Sequence, residues 1–133
     1  TLVLTFVSGD GIAASASREI VRRVDSAHRR LLPELRRKVL PVAVSVDGAA
    51  GLALVGSEVR DPDAWLLLSG PTSQVDRLAL PLEVVSWTED GRIAHTLRTV
   101  VVAPDLRIAD IFPGTAPWTE PDLRATLSRW ARE

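Results

Sequence analysis

Leu2-Val3-Leu4-Thr5-Phe6-Val7-Ser8-Gly9-Asp10-Gly11-Ile12-Ala13-Ala14-Ser15 begins with a run that is apolar except at Thr5, passes through a glycine-bearing loop, and enters a helical pattern. The run is short, partly β-branched and apolar on both faces, which predicts a buried strand. After the loop, Ile20, Val24, Ala27 and Leu31 recur at helical spacing, with Val21 and His28 on a flank and arginines mostly on the other faces. Strand, tight loop, helix is an arrangement in which a helix N-terminus offers unpaired N–H groups beside the loop. Ser15 or Ser17 is expected to cap that helix, and His28, set among arginines, is expected to face solvent.

The following segments extend the unit. Val39–Val46 predicts a second buried strand, ended by the turn signal Asp47-Gly48. Ala49–Val59 reads as a helix, Asp61-Pro62-Asp63 as its breaker, Trp65–Leu68 as a short strand and Thr72–Leu80 as another helix. Thr96–Ala103 and Arg107–Phe112, joined by Pro104-Asp105-Leu106, suit an antiparallel pair. Thr119 is placed to cap a last helix that carries Leu123, Leu127 and Trp130 on one face. The first half is therefore a βαβ unit with a right-handed crossover, and the second half ends in an antiparallel pair. The fold class predicted is α/β, thioredoxin-like: a central mixed sheet with helices on both faces, then a C-terminal hairpin and helix.

Composition narrows function. The chain has 133 residues, 46% hydrophobic and 25% charged, with a net charge of −1. These are the proportions of an ordinary globular protein, and the charge argues against a general nucleic-acid binder. No apolar run approaches the roughly 20 residues of a membrane span. Cysteine and methionine are both absent, so disulfides and thiol chemistry are excluded.

Four local phrases stand in register over this element order: Thr5-Phe6-Val7 before the loop, Val44-Ser45-Val46-Asp47, Asp63-Ala64-Trp65-Leu66-Leu67-Leu68-Ser69-Gly70, and His95-Thr96-Leu97-Arg98-Thr99-Val100-Val101-Val102-Ala103-Pro104. Together they resemble the SCO/SenC family, thioredoxin-like copper proteins of cytochrome c oxidase assembly. The resemblance covers nearly the whole chain without the family's N-terminal hairpin, so residues 1–133 are expected to form one such domain, with an upstream hairpin, signal or anchor removed. The family's site is a Cys-x-x-x-Cys-Pro loop after the first strand and a histidine before the late hairpin. Here Gly11 and Ser15 stand at the cysteine positions and Ala16 at the proline, while His95 matches the histidine and Asp47 the acid that closes the second strand.

The resemblance thus implies a chain retaining one copper ligand of three. Cu(I) selects soft sulfur donors, and this chain has none. The expected function is a non-catalytic protein-binding or accessory module in respiratory-complex assembly, on the periplasmic side of the membrane and tethered through any missing anchor. Its expected contacts are a respiratory-complex subunit or assembly factor, with Asp10, Asp47 and Trp87 as binding residues. No cofactor is expected. One alternative is a weak Cu(II) metallochaperone using His95 with Asp10, Asp47 or Asp90. Another is a dinucleotide-binding module, since Gly9-x-Gly11-x-x-Ala14 follows a strand and opens a helix, although Asp47 lies well beyond the usual spacing of about 20 residues. Ser15 with His95 and Asp47 also offers the residue types of a nucleophilic triad, but no Gly-x-Ser-x-Gly elbow surrounds the serine. Arg18–Lys38 holds eight of the 16 basic residues. It reads first as a solvated helix face and second as a dock for an acidic partner or an anionic membrane surface.

Overall fold

A computed structural model describes every residue, Thr1 to Glu133. The elements run β1 (Leu2–Val7), α1 (Ala14–Arg29), α2 (Pro33–Arg36), β2 (Leu40–Ser45), α3 (Ala49–Glu58), β3 (Leu66–Leu68), α4 (Thr72–Ala79), β4 (Ser86–Glu89), β5 (Arg92–His95), β6 (Arg98–Val102), β7 (Ile108–Pro113) and α5 (Glu120–Ala131). Five strands form one mixed sheet in the order β3-β2-β1-β6-β7, and β4-β5 forms a separate two-stranded ribbon. β1 is parallel to β2 and β2 to β3, whereas β6 runs antiparallel to both β1 and β7.

Crossover handedness distributes the helices. The steps β1 to β2 to β3 move in one direction across the sheet, so right-handed crossovers place α1 and α3 on the same face. Val3 and Val7 of β1 point to that face and join Ile20, Val24, Leu54, Val55, Leu123 and Leu127 in the larger core. Leu4 and Phe6, one residue out of phase, point to the other face and pack with Val75 and Ala79 of α4. The two-residue periodicity of a strand thus assigns its side chains to two separate cores, which is why β1 is apolar on both sides.

Local expectations fail at three places. Neither Ser15 nor Ser17 caps α1; Ala13 occupies the N-cap with no side-chain bond. Ser17 is buried inside the first turns, and its hydroxyl accepts the Ser8 N–H at 3.1 Å. His28 is buried rather than exposed. Its position four residues after Val24 sets it on the inward flank of α1, and its Nε2 donates to the Val39 carbonyl at 3.0 Å. The polar stretch Ser86–Arg92, where no element is expected, belongs to the β4-β5 hairpin. Asp90 and Gly91 both adopt positive φ, 52° and 75°, the conformation that a two-residue type I′ turn requires. The last helix starts where expected, with Asp122 accepting both the Thr119 N–H (2.8 Å) and the Thr119 hydroxyl (2.9 Å).

Candidate functional site

The loop of residues 8–13 lies where β1 and β2 both end, and two carboxylates organise it. Oδ2 of Asp47 accepts the N–H groups of Gly9 at 2.9 Å and Asp10 at 3.1 Å, and its Oδ1 lies 3.2 Å from the Gly9 nitrogen. Asp10 folds onto its own loop, with Oδ1 accepting the Gly11 N–H at 2.9 Å. The Ser45 hydroxyl lies 2.7 Å from the Gly48 carbonyl and 3.2 Å from Asp47 Oδ1. Its single proton goes to the shorter contact, which holds the turn carrying Asp47.

Glycine is required here by close approach. A Cβ on Gly9 would overlap the Ala50 carbonyl, and one on Gly51 would overlap the Ser45 hydroxyl. The N-terminus of α3 therefore packs directly on the loop backbone. Gly11 has φ +84°, and a Cβ there would sit 3.0 Å from Cβ of Arg92. The β4-β5 ribbon thus leans over the loop, and Arg92 also approaches Asp10 at 3.6 Å, both side chains largely exposed. An exposed pair of this kind contributes at most about 1 kcal/mol.

His95 ends β5 and is 4% exposed. Its Nδ1 donates to the Thr96 carbonyl at 2.9 Å, so the neutral ring carries its lone pair on Nε2. That atom is buried without a hydrogen-bond partner, as is the Ser8 hydroxyl. Burial pushes the ring's pKa below its ordinary 6.5, while the Thr96 carbonyl and the charge of Asp47 pull the other way. His95 is therefore neutral at pH 7.

Asp47, Asp10 and Gly11 are gathered in one loop cluster, and His95 is near enough to feel the Asp47 charge. Ser15 is exposed on the first turn of α1. A triad does not form: His95 gives Nδ1 to a backbone carbonyl instead of an acid, and Asp47 is engaged by the loop. The dinucleotide reading meets a physical obstacle as well. The N–H groups of residues 9 to 11 that would cradle a phosphate already bond carboxylates, which would also repel it. No group of three or more His, Asp or Glu side chains is placed to hold a metal ion. The residues present do not fit a Cu(I) centre, which wants sulfur donors.

Trp87 is 48% exposed on β4, with its Nε1 donating to Glu89 at 3.4 Å. Trp65 and Trp118 are buried and Trp130 packs at the core edge. Sequence reasoning missed the ribbon that carries Trp87 and His95, although Asp90-Gly91 between Trp87-Thr88 and Ile93-Ala94 is a strong hairpin signal. It also missed Arg23, which donates to the carbonyls of Thr115 (2.7 Å) and Trp118 (2.9 Å) and lies 4.4 Å over the Trp118 ring.

No protein-family model and no curated protein matches the chain. Solved structures do. The copper-bound ScoI of Arabidopsis thaliana superposes with a TM-score of 0.75 at 14% identity, over 98% of this chain and 83% of that one. A SCO1/SenC family lipoprotein from Bacillus anthracis gives 0.73 at 15%, over 98% and 80%. BsSco, from the Sco family of cytochrome c oxidase assembly proteins, gives 0.73 at 14%, over 98% and 80%. A peroxiredoxin Q from Xanthomonas campestris follows at 0.59 and 16%, over 98% and 79%. The likeness first carried by four short sequence phrases therefore extends through the backbone: this chain has the thioredoxin-like fold that the Sco structures share with peroxiredoxins.

Proposed function

We propose that this chain is a divergent SCO/SenC-type protein whose copper and redox loop has lost its donor atoms, and that its remaining role is non-catalytic protein binding in cytochrome c oxidase assembly. The fold, shared with copper-bound ScoI and with a Sco protein of cytochrome c oxidase assembly, supports a role in the orbit of oxidase copper handling. One observation carries the non-catalytic part: Asp47 and Asp10 occupy the loop's N–H groups in a chain without a single sulfur atom. Thiol peroxidase and disulfide exchange both need a thiolate, so the peroxiredoxin likeness supplies a scaffold without its chemistry. Binding then falls to the exposed rim of the same end: Asp10, the outer edge of Asp47, and Trp87 on the ribbon. An aromatic side chain half in solvent beside polar groups is a common interface anchor. The lipoprotein among the matches supports an extracytoplasmic location.

The test is affinity purification of the tagged chain from detergent-solubilised membranes of its source cell, with Trp87→Ala alongside. Oxidase subunits or assembly factors should be enriched with the wild type and several-fold less with the variant. Absence of any oxidase component from the wild-type eluate overturns the proposal.

A second reading, a weak Cu(II) site on His95 with Asp10 or Asp47, is favoured by the unpartnered buried Nε2. Cu(II) titration followed by electron paramagnetic resonance separates the two. Nitrogen-coupled binding at micromolar copper that disappears in His95→Ala supports the second reading; its absence supports the first.

A further inference from the structure

The largest cavity is at the other end of the molecule. It has a volume of about 580 Å³ and lies among the C-terminal end of α1, α2, the start of β2 and the turn before β3. The six residues of β2 separate it from the Asp47 loop by roughly 20 Å. Its wall carries three guanidinium groups, Arg29, Arg36 and Arg37, with His28, Asp25 and Asp61.

Both acids of the wall already accept hydrogen bonds, Asp25 from Arg29 within the wall itself. Asp25 is buried and accepts from Trp65 Nε1 (3.2 Å), Arg29 Nε (2.9 Å) and the Arg60 N–H (3.4 Å). Asp61 accepts the Asp63 N–H at 3.2 Å. Arg29 spends only its Nε on Asp25. Arg36 spends one N–H on the Arg29 carbonyl at 3.2 Å, which fixes its guanidinium in the wall. Arg37 makes no side-chain hydrogen bond, and neither Arg36 nor Arg37 pairs with a carboxylate, in contrast to Arg18, Arg22, Arg23 and Arg30 of the same segment. His28, its pKa lowered by burial, adds no charge. Basic residues at a helix C-terminus complement the dipole, which accounts for one cation at each of α1 and α2 but not for three converging on one cavity.

We propose that this cavity binds a phosphate group, bracketed by Arg36 and Arg37 with the outward N–H groups of Arg29. The planar fork of a guanidinium matches phosphate oxygens two at a time. Three guanidiniums against Asp25 and Asp61 leave the concave wall one positive charge in excess, and Arg37 with the remaining N–H groups of Arg36 and Arg29 supplies unspent donors. The phosphate can belong to an anionic lipid headgroup or to a free phosphorylated molecule. The exposed Leu32 and Leu40 flanking the basic run make the headgroup source testable in its own right.

The experiment is a ¹⁵N NMR titration of the full chain with inorganic pyrophosphate, with sedimentation on vesicles of phosphatidylglycerol in phosphatidylcholine and on phosphatidylcholine alone. Arg36→Ala/Arg37→Ala and the single Arg37→Glu are tested in parallel, with Arg77→Ala as a remote control. Shifts centred on residues 28–40 that weaken about tenfold or more in both variants but not in the control support the site. Binding of pyrophosphate without vesicles identifies a soluble ligand. Retention only on phosphatidylglycerol, lost in both variants, identifies the headgroup. No saturable response to either probe, or a response unchanged in both variants, or an equal response to citrate, overturns the assignment.

Discussion

Asp47→Ala tests the idea that this carboxylate closes the loop. The substitution removes the acceptor of two backbone N–H groups, at 2.9 and 3.1 Å. A hydrogen bond to a charged acceptor contributes about 1.5–3 kcal/mol when its loss leaves the donor unpaired. The two donors differ: the Asp10 N–H is exposed and water replaces the carboxylate there, whereas the Gly9 bond is partly buried under the N-terminus of α3. The expected loss is therefore about 2 kcal/mol, close to the value for one bond rather than two. Asp47→Asn keeps one acceptor oxygen without the charge and should lose about half as much. Urea unfolding at pH 7 measures the global loss. Native-state hydrogen exchange measures the local one, where the Gly9 amide should exchange about 30-fold faster, the equivalent of 2 kcal/mol. If Asp47→Ala costs less than about 0.5 kcal/mol and Gly9 exchange is unchanged, the loop is held by something other than Asp47.

Gly9→Ala places a Cβ against the Ala50 carbonyl, a backbone atom that cannot rotate away; a loss of about 3 kcal/mol in chemical denaturation is expected. Arg23→Ala unties the segment between β7 and α5 by removing two carbonyl contacts and the cation over Trp118. About 2–3 kcal/mol should be lost, with a red shift of tryptophan emission as Trp118 becomes wetter. Acid should destabilise the protein through its two histidines. Both are held below their ordinary 6.5, chiefly by burial, so the unfolded chain takes up protons first. The contribution is fully present above pH 6.5 and is lost as pH falls toward the folded-state values, with a slope of up to about 1.4 kcal/mol per pH unit per histidine. Unfolding free energies measured between pH 7.5 and 5 should show this slope reduced in His95→Gln, and equal slopes for variant and wild type would contradict the assignment.

Where the deciding interactions are local, the sequence was enough. β1 declared itself by six apolar-dominated residues, α1 by its apolar spacing and α5 by Thr119 and the apolar face of Leu123 and Leu127, all signals that act within a few turns or one strand. The order of these elements implied a mixed sheet with helices on both faces, but which helices share a face followed only from the strand order β3-β2-β1-β6-β7. His28 misled because its arginine neighbours describe the outer surface of α1, while its own position four residues after Val24 turns it inward. The ribbon Ser86–His95 was hidden by polar composition, although Asp90-Gly91 carried the turn.

The candidate site divides along the same line. Sequence alone determined that no sulfur chemistry occurs here, because absence of cysteine and methionine needs no coordinates. It also placed Asp47 at the end of the second strand and His95 just before the late antiparallel pair, though not on the ribbon that carries it. What those groups do was decided only by tertiary structure. Gly9 and Asp47 are 38 residues apart, and nothing in either segment specifies that the carboxylate of one will receive the N–H of the other. The convergence of Arg29, Arg36 and Arg37 on a cavity also involves Asp61 from the far side of α3. Hydrogen bonds and fields act over a few ångströms of space, and only the folded chain sets which residues are within that reach.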